Sequence, residues 1–192
     1  NIGGAIAATY TITGVTIAEN GNKYRVIING TCPSAVTSSA ATLSVTTAVG
    51  ISAQPVSQVV CSGSNADFTV TGTGTGVNYQ WQVSTNGGTT WTNISGGNAS
   101  TLTLTGVTEA QSGYLYQAIL TNATCATPTL SSSVSLTVNS LPAVTTQPSS
   151  VTLCSGSNHT FTAAGTGTGI SYQWLVSTDG GTTFSDIAGE TN

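Results

Sequence analysis

YQWQVSTNGGTTW at residues 79–91 returns as YQWLVSTDGGTTF at residues 172–184, 93 positions later. Each copy begins with apolar residues alternating with polar ones (Tyr79, Trp81 and Val83 between Gln80 and Gln82), the period of a half-buried strand. Each then runs into Asn-Gly-Gly or Asp-Gly-Gly, where glycine accepts positive φ and turns the chain back as a hairpin. CSGSN at 61–65 returns at 154–158, again 93 residues on, and ATYTITGVT at 8–16 answers STLTLTGVT at 100–108 with a shift of 92. A period this long amounts to one whole β-domain per repeat, so the chain reads as part of a modular tandem array.

Residues 49–139 read as one complete repeat. Short alternating strands are expected at 52–60 (interrupted by Pro55), 67–71, 78–83, 90–94, 101–105, 114–121 and 132–138, separated by Gly, Asn, Ser and Pro turns as in a β-sandwich. TGTGTG at 71–76 reads as a flexible loop, copied at 165–169, and no lysine or helix follows it to make a phosphate cradle. Pro142 and Pro148 mark the next linker and first strand. Residues 1–48 match only the second half of the repeat and 140–192 only the first half. The half-repeats belong either to a longer array of the same chain or to partners completed by strand exchange with neighbouring chains in a filament.

Composition excludes several classes. Lys23 and Arg25 are the only strong cations against six carboxylates, a net charge of −4. Nucleic acids and anionic membranes are recognised by clustered Lys and Arg, so neither is an expected partner. No apolar run approaches the roughly 20 residues of a membrane span, no signal peptide is evident, and a chain that begins within a repeat would carry one upstream. Cys32 and Cys125 occupy one position of the repeat and Cys61 and Cys154 another, with no CxxC pair to suggest zinc. Regular cysteines in a Ser/Thr/Gly/Asn-rich β-protein point to disulfides and an oxidising exterior. Five N-x-S/T sequons occur, at Asn29, Asn93, Asn98, Asn122 and Asn158; in so Asn- and Thr-rich a chain most are expected by chance, so they are weak evidence for glycosylation.

Trp81 lies in the middle of the third expected strand, and Tyr116 follows Gly113 at the start of the sixth, after TLTLTGVT. That layout resembles an immunoglobulin-like domain, with a core Trp on strand C and a tyrosine corner entering strand F. With QP…VCSGSN, YQW.VSTNGGTTW and TLTGVT, it looks like the tandem immunoglobulin-like repeats of large secreted or cell-surface adhesins from gliding, type IX-secreting Bacteroidota. The resemblance implies an all-β sandwich array, an extracellular stalk, and core roles for Trp81, Trp174, Tyr24 and Tyr116. It departs at the cysteines. The inter-sheet pair of strands B and F threads onto Val70 and Ala118, while Cys61 falls in the A–B turn and Cys125 in the F–G loop. Those loops lie at opposite ends of such a sandwich, so two pairings stay open: a staple from the A–B turn of one repeat to the F–G loop of the next, or a Cys61–Cys125 bond with different strand placement. The hairpin S-x-D-x-G-x-T-F at Ser177–Phe184 also resembles the Asp box of sialidase-type propellers, where it implies a structural turn; Ser84, Asn86, Gly88, Thr90 and Trp91 fit it with Asn for Asp.

Catalytic chemistry is not expected. His159 is the one histidine, and its repeat equivalent is Ala66, so no Ser/His/Asp or Cys/His set can be assembled. The carboxylates are dispersed with no D-x-D-x-D loop, and neither a metal nor a cofactor is expected. The favoured function is a non-catalytic stalk or filament segment whose partners are neighbouring repeats. The alternatives are a carbohydrate-binding module using Trp91, Tyr114 and the TGTGTG loop, or an accessory domain of a secreted enzyme.

Overall fold

A computed structural model describes residues 2, 5–32, 34–125 and 127–191. The central repeat is a two-layer β-sandwich. One layer orders its strands Thr92–Asn93, Asn78–Ser84, Leu115–Thr121, Val134–Asn139 and Gln58–Cys61, with Thr129–Leu130 also on Leu115–Thr121. Facing it, Ala66–Thr69 pairs with Thr101–Leu104, and Gly50–Ala53 pairs with Thr71–Thr73.

The expected first strand is two strands. Gly50–Ala53 ends before a buried Pro55, and the chain crosses to the other layer, where Gln58–Cys61 runs parallel to Val134–Asn139. Proline has no N–H for the ladder, so pairing breaks there. The TGTGTG segment is not simply loop: Thr71–Thr73 is a strand. The other expected strands are present with shifted ends; the one at 90–94 shortens to Thr92–Asn93.

The core is where the repeated aromatics meet. Trp81 has no exposed surface and donates its indole N–H to the Ala99 carbonyl at 2.9 Å. Phe68 from the facing layer stacks on Tyr116 (4.8 Å between rings) and leans on Trp81 (6.4 Å). Burial, with Tyr114 nearby, pushes the Tyr116 phenol up to about 12. Val70 and Ala118, the positions of the missing inter-sheet cysteines, are fully buried. Gly97 lets the Trp81 backbone close in, since a Cβ there would stand 3.0 Å from that of Trp81 and 3.1 Å from the Ile94 carbonyl oxygen.

The flanking halves fold in the registers of the central repeat. Lys23 and Tyr24 pair with Thr42 and Ala41 as Leu115 and Tyr116 pair with Ser135 and Val134. Ala143–Thr146 pairs with Ala164–Thr166, including the same register shift that separates Ile51 from Ala53. Each flanking segment holds only half of a repeat, so strands are missing from both layers and their would-be neighbours stay exposed: Ile28 is 62% exposed where Leu120 is 0%, and Phe161 is 52% exposed where Phe68 is 0%. Trp174 and Tyr24 are accordingly half-buried rather than core.

Candidate functional site: the inter-repeat junction

Thr46–Ala48 connects the first half-repeat to the central one, and polar side chains from both sides hold it. Asn20 Oδ1 accepts from the Val45 amide at 2.8 Å on the preceding side. On the following side Thr47 donates its amide to Thr75 Oγ1 (3.2 Å), the two hydroxyls bond each other (2.9 Å), and the Thr75 amide donates to the Thr47 carbonyl (3.4 Å). Asn122 Nδ2 donates to that same carbonyl at 3.0 Å, while its Oδ1 accepts from the Thr124 and Cys125 amides. Thr129 Oγ1 donates to the Val49 carbonyl at 3.0 Å.

The same device recurs one period later. Ser140 donates its amide to Thr168 Oγ1 (2.9 Å), the hydroxyls bond (3.0 Å), and the Thr168 amide donates to the Ser140 carbonyl (3.2 Å). The glycine before each clamp threonine permits the approach. At Gly74, with φ +111, a Cβ would stand 2.5 Å from the Ala48 carbonyl oxygen; at Gly167, with φ +142, it would stand 2.8 Å from Pro142 Cα. Asn139 ends the last strand of the central repeat and Ser140 is already clamped to the next, so no slack separates them. The TGTGTG loop is thus a seat for the linker, a role its sequence did not announce; the 93-residue recurrence of Thr75 as Thr168 was the available signal.

Cys125 and Cys61 lie at these junctions. Cys125 Sγ stands 3.7 Å from Thr46 Oγ1. Cys61 sits opposite Asn139 in the parallel ladder, and the Ser62 amide donates to the Asn139 carbonyl at 2.8 Å. The antiparallel pairing of Val134–Asn139 with Leu115–Thr121 puts these two cysteines at opposite ends of the sandwich, about 30 Å apart at ~3.3 Å per residue. That separation argues against a Cys61–Cys125 bond inside the repeat, and the described cysteines are not bonded to one another, with Cys32, Cys61 and Cys154 exposed and Cys125 half-buried.

The two rings considered for sugar are both half-buried. Tyr114 packs against the core, and Trp91 is half-buried over its own hairpin, its Cζ2 3.9 Å from where a Gly88 Cβ would be. That hairpin is a structural turn in both copies. Ser84 Oγ accepts from the Gly88 amide at 2.8 Å and Asn86 Oδ1 from the Thr90 amide at 2.9 Å; Ser177 and Asp179 repeat both bonds at 2.9 Å. Thr183 Oγ1 donates to Asp179 at 2.6 Å, and with the Thr183 amide and Ser177 it holds that carboxyl well below the usual range. Asp67 takes the Thr103 hydroxyl at 2.5 Å, and His159 lies edge-on to Phe161. Among the described residues no group of three His, Cys, Asp or Glu could hold a metal, and no helix is long and apolar enough to cross a membrane.

Residues 50–140 match a family model described as a domain of unknown function, DUF8696. No curated protein matches the chain. Among solved structures, a titin I-band fragment (I67–I69) is similar at a TM-score of 0.51 and 20% identity, covering 73% of this chain and 48% of that one. Immunoglobulin domains 1–4 of Sidekick-1 align at 0.49 and 18% identity, covering 84% and 45%. The chain spans about half the length of these solved chains. The fold is all-β and immunoglobulin-like, in tandem.

Proposed function

We propose that this chain is a segment of a stalk or filament in a secreted or cell-surface adhesin, of the kind found in gliding, type IX-secreting Bacteroidota. It is non-catalytic, needs no cofactor, and acts by holding an adhesive element away from the cell. The observation that carries this reading is the junction, built twice from the same atoms: Thr47 with Thr75, and Ser140 with Thr168. A connection clamped by three hydrogen bonds, and at Ser140 also continuous with the strand that ends at Asn139, resists bending, and resistance to bending is what a spacer needs. A stalk also gains from the near absence of Lys and Arg, since trypsin-like proteases find only Lys23 and Arg25 to cut.

The carbohydrate-binding alternative has no single observation in its favour, because Trp91 and Tyr114 are engaged in packing. A glycan array probed with the purified chain separates the two. The stalk reading expects silence; saturable micromolar binding that is lost in Trp91→Ala would overturn it.

A further inference from the structure

We propose that successive repeats of this array are joined by disulfides, the cysteine at the 61/154 position of one repeat bonding the cysteine at the 32/125 position of the repeat that follows. This rests on the reading of the chain as a tandem array and adds a covalent link at each junction.

The repeat itself supplies the geometry, because one linker position is seen from both sides. Asn139 and Thr46 are equivalent, 93 residues apart. At Asn139 the preceding repeat presents Cys61, its register partner across a parallel ladder whose strands lie ~4.8 Å apart. At Thr46 the following repeat presents Cys125, whose sulfur stands 3.7 Å from the threonine hydroxyl. Superposing the two views brings the cysteines of adjoining repeats to the same linker residue, one from each side. A disulfide asks for Cα atoms about 4.4–6.8 Å apart; Cys61, one ladder spacing from the linker residue, and Cys125, whose sulfur lies against that residue's side chain, are brought into one neighbourhood. No other cysteine competes, since Cys61 and Cys125 of one repeat are at opposite ends of it. The Asn122 side chain fixes the loop that carries Cys125 by bonding its amide at 2.6 Å while holding the linker carbonyl. Cys61 is exposed and Cys125 half-buried, so neither is sealed in the core away from an external oxidant.

The chemistry is thiol–disulfide exchange with a small disulfide donor such as oxidised glutathione. The thiolate of one cysteine attacks the donor, giving a mixed disulfide and releasing one glutathione thiol. The thiolate of the second cysteine then displaces the remaining glutathione, which leaves as its thiol. Two cysteine thiols have lost two electrons and two protons, and one glutathione disulfide has become two thiols.

Two full copies can be joined in repeat register, residue 185 of the first to residue 1 of the second, because residues 1 and 186 are equivalent. Refolded in a glutathione redox couple, digested without reduction and mapped by mass spectrometry, this fusion has a definite expected pattern. Cys61 of the first copy bonds Cys32 of the second, and Cys154 of the first bonds Cys125 of the second. The other four thiols remain alkylatable. Cys61→Ser in the first copy releases only Cys32 of the second. Eight alkylatable thiols in the folded fusion would overturn the proposal, and so would a Cys61–Cys125 peptide from within one copy. The single chain is the second measurement, independent of whether the fusion folds: a Cys61–Cys125 bond within it is equally fatal. Small-angle scattering on the same fusion keeps the two readings apart. A stiff rod without disulfides removes the staple and leaves the stalk, while disulfides in a folded-back array do the reverse.

Discussion

Trp81 shows how much one residue organises. Its ring meets Phe68 from the facing layer, its indole N–H is satisfied by Ala99, and its backbone bonds Gly97 and Ile94, tying the hairpin to the centre of the sheet. Trp81→Ala in residues 49–139 should lower stability by about 3–5 kcal/mol, the usual cost of truncating a large buried aromatic, measured by urea unfolding. A loss under ~1 kcal/mol would mean the ring is not in the core. Asp179 gives a pH prediction of definite sign. Its folded pKa is depressed, so its contribution is complete above the ordinary carboxylate range of about 4 and is lost as pH falls from there through the lower folded value. Carbon-13 titration should show the Asp179 carboxyl still ionised after free aspartate has protonated. Asp179→Asn should abolish that acid sensitivity without disturbing the turn, because Asn86 already builds it with an amide. An Asp179 that titrates like free aspartate would contradict the hydrogen-bonded turn.

At the scale of the element, the alternation and the glycine turns made the strands of the central repeat legible. What they did not reveal is that the chain changes sheets between Gly50–Ala53 and Gln58–Cys61, because Pro55 marks where pairing breaks but not which layer the chain joins next. The clamp was hidden for a related reason. Thr75 looks like every other threonine in a Gly/Thr loop, and only tertiary placement gives it Thr47 as a partner. Thr75→Val should weaken the junction by about 1 kcal/mol, the net worth of a typical hydrogen bond, and speed amide exchange at Thr47 and Thr75 roughly fivefold without lowering the stability of the sandwich core. Unchanged exchange would show that the clamp holds nothing. Gly74→Ala should do more damage, about 1–3 kcal/mol, since the position combines positive φ with a carbonyl 2.5 Å from the added carbon.

For the whole molecule, the sequence made the array plain but could not say how its units meet, since a period is silent about contacts between copies. Trp174 and Tyr24 illustrate the consequence: both hold the positions of core residues, yet each is half-buried beside only half of its repeat's strands, Trp174 keeping Phe161 at 6.4 Å as Trp81 keeps Phe68. The central claim is that the junctions are built alike and are stiff. Small-angle X-ray scattering on the in-register fusion of two chains tests it most directly. The expected result is a rod one sandwich thick, its maximum dimension growing from single chain to fusion in proportion to the number of repeats, and a loss of that proportionality in Thr75→Val/Thr168→Val. A profile of freely jointed beads or of a folded-back cluster, unaffected by those substitutions, would contradict it.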